Sequence, residues 1–393
     1  MNKYICNIYI ALWCIYGLQG TFYQTGGLFA HVLIILLLAI SMYYFVVSNV
    51  KFKLPKVMNV LSLLVVIWSI YGFVNILYGN GAEYKVPSYF YLRNIYCSLL
   101  PVYVFYYFSK REILTEQTLK RWLFVFLAIA ITQFYRERHL SIELLAERGI
   151  IKDEVTNNAS YLLLSFIPLI SFYNKKPLVQ YVLLSVCLIY VLMGMKRGAI
   201  VTGALCFLWF LVNSVKRKEF NRKRIFMIIV IVFVVIGAIY VVQYMLQNSD
   251  YFNERLEKTI SGDSSGRDSI YTSCLNYFFS QISVMAYMFG NGADATLRIF
   301  GEFAHNDWLE IAINNGIVVL VIFFIYWIRL FQVISSCRKT NYTFYMLLST
   351  FFVIYFTRTF FSMSYSDISV YSNIALGFAL ANLNKIEKNT SPS

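Results

Sequence analysis

Apolar runs of near membrane-spanning length recur along the whole chain, at 4–20, 28–48, 57–78, 89–108, 120–135, 159–173, 177–194, 199–214, 225–245, 308–331, 343–361 and 369–384. A helix needs roughly 20 apolar residues to cross about 30 Å of hydrocarbon, so such a series leaves few folds open. With 59% hydrophobic, 18% aromatic and only 14% charged residues, a water-soluble chain of 393 residues could not cover its own surface. The sequence therefore predicts an all-α integral membrane protein of about 12 transmembrane helices, with 1–384 forming a single polytopic membrane domain.

The basic residues orient the helices. With the N-terminus inside and strict alternation, the inner loops and tails gather Lys3, Lys51, Lys53, Lys56, Lys110, Arg111, Lys120, Arg121, Lys175, Lys176, the run Lys216 to Arg224, Arg329, Arg338, Lys339, Lys385 and Lys388. Only Glu112, Glu116, Glu219 and Glu387 accompany them. An excess of Lys and Arg marks cytoplasmic loops, so both termini are expected in the cytoplasm. Residues 246–307, between the ninth and tenth helices, then form one large periplasmic loop. The net charge of +14 is thereby a topology signal. Spread over short loops and two tails of one membrane face, it does not resemble a nucleic-acid footprint, and no nucleic-acid partner is expected. The first apolar stretch lacks an Ala-x-Ala-like cleavage site and is read as a retained helix.

Cofactor signals are absent. Of seven cysteines, Cys6, Cys14, Cys97, Cys187 and Cys206 sit in apolar spans and Cys274 in the outer loop, with neither a disulfide framework nor metal-ligand spacing. No internal repeat and no glycine-rich phosphate loop occurs, so neither a metal nor another cofactor is expected. The tail 385–393 reads as disordered.

The far side carries the soluble chemistry, in segments 79–88, 136–158 and 246–307. In the last of these, Tyr271, Leu275, Phe278, Phe279 and Ile282 recur at helical spacing. They predict an amphipathic helix on the membrane surface. FGNGAD, with Gly290 and Gly292, then turns the chain before it re-enters at GEFAHNDWLEIAINNGIVVLV.

Arginines on this side oppose the positive-inside bias and call for local reasons. Arg197, in the short turn MGMKRGAIVTG, is either a snorkelling partner of Lys196 or a ligand-binding group. Arg358, in FTRTFFSMSYSD, faces the same choice; Arg267, Arg136 and Arg138 stand in longer loops, and Arg93 faces headgroups or a cavity. Several guanidinium forks converging on one cavity would grip a diphosphate and make it a good leaving group without a metal, which points to lipid-diphosphate substrates. His305, in AHNDWLE, is a candidate proton acceptor at the membrane boundary. A purely structural reading is equally open: Asn306 or Asp307 could cap the tenth helix, with Glu310 in its first turn.

Taken in order, KRGA after the seventh helix, SGRDSIY, MFGNGAD, AHNDWLEIAINNGIVVL and an arginine near the outer end of the penultimate helix resemble the O-antigen polymerase and O-antigen ligase family, membrane glycosyltransferases that use sugars carried on undecaprenyl diphosphate. The resemblance covers about 159–384 well, the earlier helices only in general architecture, and 136–158 loosely. Lys196 stands where the family commonly has serine. The resemblance implies that Arg197, Arg267 and Arg358 hold the diphosphate and that His305 is the catalytic base. Arg93, Arg136, Arg138, Asn306 and Glu310 are supporting candidates. It also implies an undecaprenyl-diphosphate-linked oligosaccharide and membrane lipids as partners, with a chain-length regulator and a flippase nearby, and an active site on the periplasmic face of the bacterial inner membrane. A composition rich in Phe, Tyr, Ile, Asn and Lys, as in sugar-polymer gene clusters, favours a polymerase over a ligase. A flippase or transporter should show repeated halves, and the two halves of this chain look unlike.

Overall fold

The computed structural model describes residues 2–78, 87–147, 155–216, 246–260, 267–363, 365 and 370–383, with scattered positions (232, 236–237, 239–240 and 242–244) between. Every regular element among them is helical: α1 (Asn2–Gly17), α2 (Leu28–Lys51), α3 (Lys56–Tyr78), α4 (Tyr89–Leu99), α5 (Pro101–Lys110), α6 (Glu116–Ala146), α7 (Ala159–Ile170), α8 (Pro177–Met193) and α9 (Arg197–Lys216). Then come α10 (Asp250–Ile260), α11 (Arg267–Phe279), α12 (Val284–Phe289), α13 (Ala295–Phe300), α14 (Asp307–Thr340), α15 (Tyr342–Arg358) and α16 (Val370–Ala381). Most of the expected ninth span, the basic loop beyond Lys216, most of segment 79–88, residues 148–154 and the tail 385–393 lie outside the described residues.

Three helices, α2, α3 and α14, are long and apolar enough to cross a membrane alone. Shorter apolar helices occupy Tyr4–Gly17, Ala159–Tyr173, Pro177–Met193, Arg197–Asn213 and Tyr371–Ala381. On α2 and α3 the side chains of Val32, Ile35, Val46, Leu63, Val66, Ile70, Phe73 and Leu77 are exposed. Apolar faces of that extent need a lipid solvent, so the molecule is an all-α membrane protein.

Local chemistry shifts several expected boundaries. The fourth span breaks into α4 and α5 because Pro101 lacks the N–H that would continue the ladder and instead occupies the first turn of α5. The fifth span runs on as α6 to Ala146, so Arg136, Arg138 and His139 belong to a helix and not to a loop. Nothing in YRERHLSIELLA breaks a helix, and exposed His139 Nε2 lies 3.2 Å from Glu143 Oε1 one turn on. The tenth span is longer and bent: Gly316 sits at φ 76°, ψ 179° inside α14. The part after it, at about 1.5 Å per residue, is still long enough to cross the hydrocarbon alone.

The chain divides into two compact units. The first comprises 1–35, 113–263 and 346–354, with α1 and α6 to α10. There α6, α7 and α8 pack together, and the turn before α9 is tied to the start of α7 by Asn157 N–H donating to Gly194 O at 2.8 Å. The second comprises 36–112, 264–345 and 355–393. Its centre is α5, buried on every side, with α16 laid against it. Gly377 allows that approach, since a Cβ there would lie 2.5 Å from Val102 O.

Candidate functional site

In the second unit, the bend at Gly316 creates the site's foundation. A helix bent at one residue frees the carbonyls of the preceding turn, and each must find another donor. Asn291 N–H donates to Ile313 O at 2.9 Å, Asn291 Nδ2 to the same oxygen at 3.1 Å, and Gly292 N–H to Asn314 O at 2.9 Å. Tyr71 Oη donates to Asn315 O at 3.4 Å and to Phe289 O. Backbone meets backbone here with no room for side chains: a Cβ on Gly290 would sit 2.4 Å from Asn314 O, and one on Gly316 would sit 2.4 Å from Met288 O. FGNG and INNG, read separately in the sequence, are thus two halves of one joint.

That joint carries the segment leading to His305. Glu310 is fully buried and accepts from Thr296 Oγ1, from Ala304 N–H at 2.5 Å and from Asn314 Nδ2 at 3.2 Å, while Asn314 Oδ1 accepts from Thr296 N–H at 3.0 Å. Asn306 caps α14, its Oδ1 accepting from Trp308 N–H at 3.0 Å and Leu309 N–H at 3.2 Å. His305 is therefore pinned on both sides, by Ala304 and by Asn306. Its own backbone adopts φ 51°, a left-handed conformation that costs a non-glycine residue on the order of 1 kcal/mol, and its side chain is exposed. Strain at an exposed, titratable residue whose neighbours are locked is a feature of functional sites.

Three predicted pieces meet at this point. Asp307 N–H donates to Thr359 O at 2.8 Å and Trp308 Nε1 to Thr359 Oγ1 at 2.8 Å, joining the start of α14 to the end of α15 beside Arg358. Arg267, the first residue of α11, points Nη1 at Phe361 O, 3.4 Å away. Tyr271, one turn further on, donates from Oη to Phe360 O at 3.2 Å, and its hydroxyl also lies within hydrogen-bond reach of Asn306 and Arg267. Burial pushes the Tyr271 hydroxyl up in pKa, and Arg267 and Asn306 act the other way. Tyr271 is missed by a reading that counts it only as an apolar position; its place four residues after Arg267 in SGRDSIY was the available signal.

Arg358 is only 1% exposed, with its guanidinium carbon 5.4 Å from the Tyr355 ring centre. The interfacial-anchor reading of Arg358 is thereby overturned, because a snorkelling side chain keeps its charged head in water. Arg93 belongs to the same unit but bonds Asn94 Oδ1 at 3.1 Å and covers the Phe90 ring at 4.1 Å. Asp294, left-handed at φ 54° in the loop between α12 and α13, has its carboxyl lifted to about 6 by burial, against the pull of Arg298. Among the described residues no group of three or more His, Cys, Asp or Glu side chains is placed to hold a metal ion.

The remaining candidates belong to the first unit. Arg197 is the first residue of α9, half-buried, after a turn in which Met195 takes φ 51° and Gly194 is pressed against Ser160. Arg136 is engaged locally: Nη1 reaches Gln133 Oε1 at 2.7 Å, Nη2 reaches Thr25 Oγ1 at 3.0 Å, and the guanidinium lies against Gly20. Arg138 is half-buried on the same helix.

Residues 182–324 match a protein-family model described as O-antigen ligase. Over this stretch the chain is similar to that family. The stretch contains Arg197, Arg267, His305, Asn306 and Glu310 as well as the glycine joint, whereas Arg358, Arg93, Arg136 and Arg138 lie outside it. The family joins membrane ligases and polymerases of the glycosyltransferase kind, which agrees with the resemblance drawn from the motifs. A comparison with curated proteins found no match.

Proposed function

We propose that this protein is an O-antigen or related surface-polysaccharide polymerase, moving the growing glycan from undecaprenyl diphosphate to a hydroxyl of another lipid-linked repeat unit. The observation that carries the reading is the junction just described, where the helix of Arg267, the segment of His305 and the end of the Arg358 helix are hydrogen-bonded together inside or beside the matched stretch. In the reaction, His305 takes the proton of the acceptor hydroxyl as that oxygen attacks the anomeric carbon. The bond from that carbon to the diphosphate oxygen breaks on the opposite face, which inverts the centre without a metal. Arg267 holds the departing diphosphate, and buried Arg358 adds a positive field where the dielectric is low. Asn306 and Glu310 position His305; Glu310 is fully buried and does not reach substrate.

The same proposal places twelve spans in the bacterial inner membrane, both termini in the cytoplasm, and 246–307 on the periplasmic face. A chain-length regulator and a flippase would work beside it. The ligase reading, transfer to lipid A-core, uses the same groups with another acceptor. The transport reading loses ground at Gly316, because the carbonyls freed by that bend are taken by Asn291, Gly292 and Tyr71 and not left to coordinate an ion.

The test is the surface glycan of a native-host strain lacking the gene. A polymerase leaves single repeats attached to core. Long unattached lipid-linked polymer would identify a ligase, and lipid-linked monomers confined to the inner leaflet would identify a flippase.

A further inference from the structure

A second feature of the second unit lies between α11 and α12. Phe279, Ile282, Val284, Met285 and Phe289 are all exposed, Ile282 at 98% and Phe279 and Val284 at 74% each. They are not remnants of a poor core, because the opposite face of α11 is well used: Ile270 and Cys274 pack on Ala295, Ala304 and Ile313. From Leu275 to Ala293 the sequence has no Asp, Glu, Lys or Arg. Neither α11, with 13 residues, nor α12, with 6, is long enough to cross a bilayer.

Two observations identify what covers this surface. Tyr71 of α3 donates to Phe289 O, so the patch abuts a helix able to cross a membrane, and Ile70, Phe73, Val74 and Leu77 around that contact are themselves exposed and apolar. The patch thus continues a lipid-facing surface. The turn also satisfies its own polar groups: Ser280 N–H donates to Asn276 O at 2.9 Å, Ser280 Oγ to Tyr277 O at 3.2 Å, Ala286 N–H to Ser283 Oγ at 3.3 Å and Tyr287 N–H to Ser283 O at 2.9 Å. Shallow immersion then strands little backbone polarity.

We infer that the turn between α11 and α12 is a lipid-docking wedge, its five apolar side chains set at the boundary of headgroups and acyl chains beside the C-terminal end of α3. A protein partner would need charged groups to fix its register, and the stretch from Leu275 to Ala293 offers none. The wedge leads through Phe289 straight into Gly290 and Gly292, so lipid contact sets the loop that carries His305. The inference stands independently of the glycosyl-transfer reading.

The full-length Ile282→Cys protein, reconstituted in vesicles of phosphatidylethanolamine and phosphatidylglycerol and labelled there with a nitroxide, tests it. All seven native cysteines are buried, so unsubstituted protein serves as the labelling blank. Collisions with dissolved oxygen should exceed those with a water-soluble nickel chelate at position 282, and the order should reverse at Glu302→Cys, an exposed polar position. Met285→Cys repeats the measurement if the first variant folds poorly. Chelate collisions dominating at both 282 and 285 would show a water-facing surface, and suppression of both quenchers would show a protein partner or a second copy. Either result overturns the wedge.

Discussion

Replacing Gly316 by alanine tests the joint that supports the candidate site. At φ 76°, ψ 179° an alanine enters a backbone region open essentially only to glycine, at roughly 1–3 kcal/mol. Its Cβ would also sit 2.4 Å from Met288 O and 2.5 Å from Gly290 N, both backbone atoms of the docked loop. Relief requires the loop to move off, breaking the bonds from Asn291 N–H, Asn291 Nδ2 and Gly292 N–H to Ile313 and Asn314, each worth about 1 kcal/mol. The sum is a loss of about 4–6 kcal/mol. Gly301→Ala supplies the control for a positive φ without crowding, since Gly301, left-handed at φ 77°, ψ −3°, has nothing within 4 Å of the built Cβ, and should lose only about 1 kcal/mol. Thermal unfolding of the purified proteins in one detergent compares them, read beside glycan synthesis in the host. Equal unfolding midpoints for the two variants would refute the idea that close backbone approach, more than φ, makes Gly316 necessary.

Other substitutions probe single contacts. Asp294→Asn removes a carboxyl whose pKa in the folded protein, about 6, exceeds the ordinary aspartate value of 3.8. The acid's contribution is full below about 3.8 and is lost as pH rises through 6, so the amide should leave stability unchanged at pH 4 and raise it by up to about 3 kcal/mol at pH 8, with equal gains at both pH values counting against the burial argument. Glu310→Gln turns an amide donor toward Thr296, Ala304 and Asn314, all donors to the carboxylate, and should lower stability by about 1–3 kcal/mol; an unaltered unfolding midpoint would contradict that network. Tyr271→Phe keeps the ring but loses the bond to Phe360 O, and should cut turnover about 10-fold while donor binding barely changes, whereas weaker donor binding at unchanged turnover would reassign the hydroxyl to substrate contact.

What the sequence revealed follows from which interactions are local. Apolar length foretold α2, α3 and α8 within a few residues of the observed ends, and the cap at Asn306 was visible because N-cap chemistry acts over three residues. Pro101 could have warned of the break after α4, and the helix-forming residues after Tyr135 of the extension of α6. Long-range pairings were hidden. Nothing in FGNGAD alone says that Gly290 must touch Asn314, and Glu310 looked like a capping partner because one of its donors, Thr296, comes from a different helix. Periodicity found α11 but misjudged its faces: Tyr271 and Phe278 turn toward protein, while Leu275, Phe279 and Ile282 stay exposed. Both kinds of face are apolar, so hydrophobicity could not separate them.

The central claim is that His305 accepts the acceptor's proton. Turnover of His305→Ala, reconstituted in lipid with a lipid-linked oligosaccharide, tests it most directly when donor binding is measured on the same preparation. A positioned base contributes about 10²–10⁴-fold, so turnover should fall by that factor with donor affinity unchanged. Turnover equal to that of the unsubstituted protein would contradict the assignment.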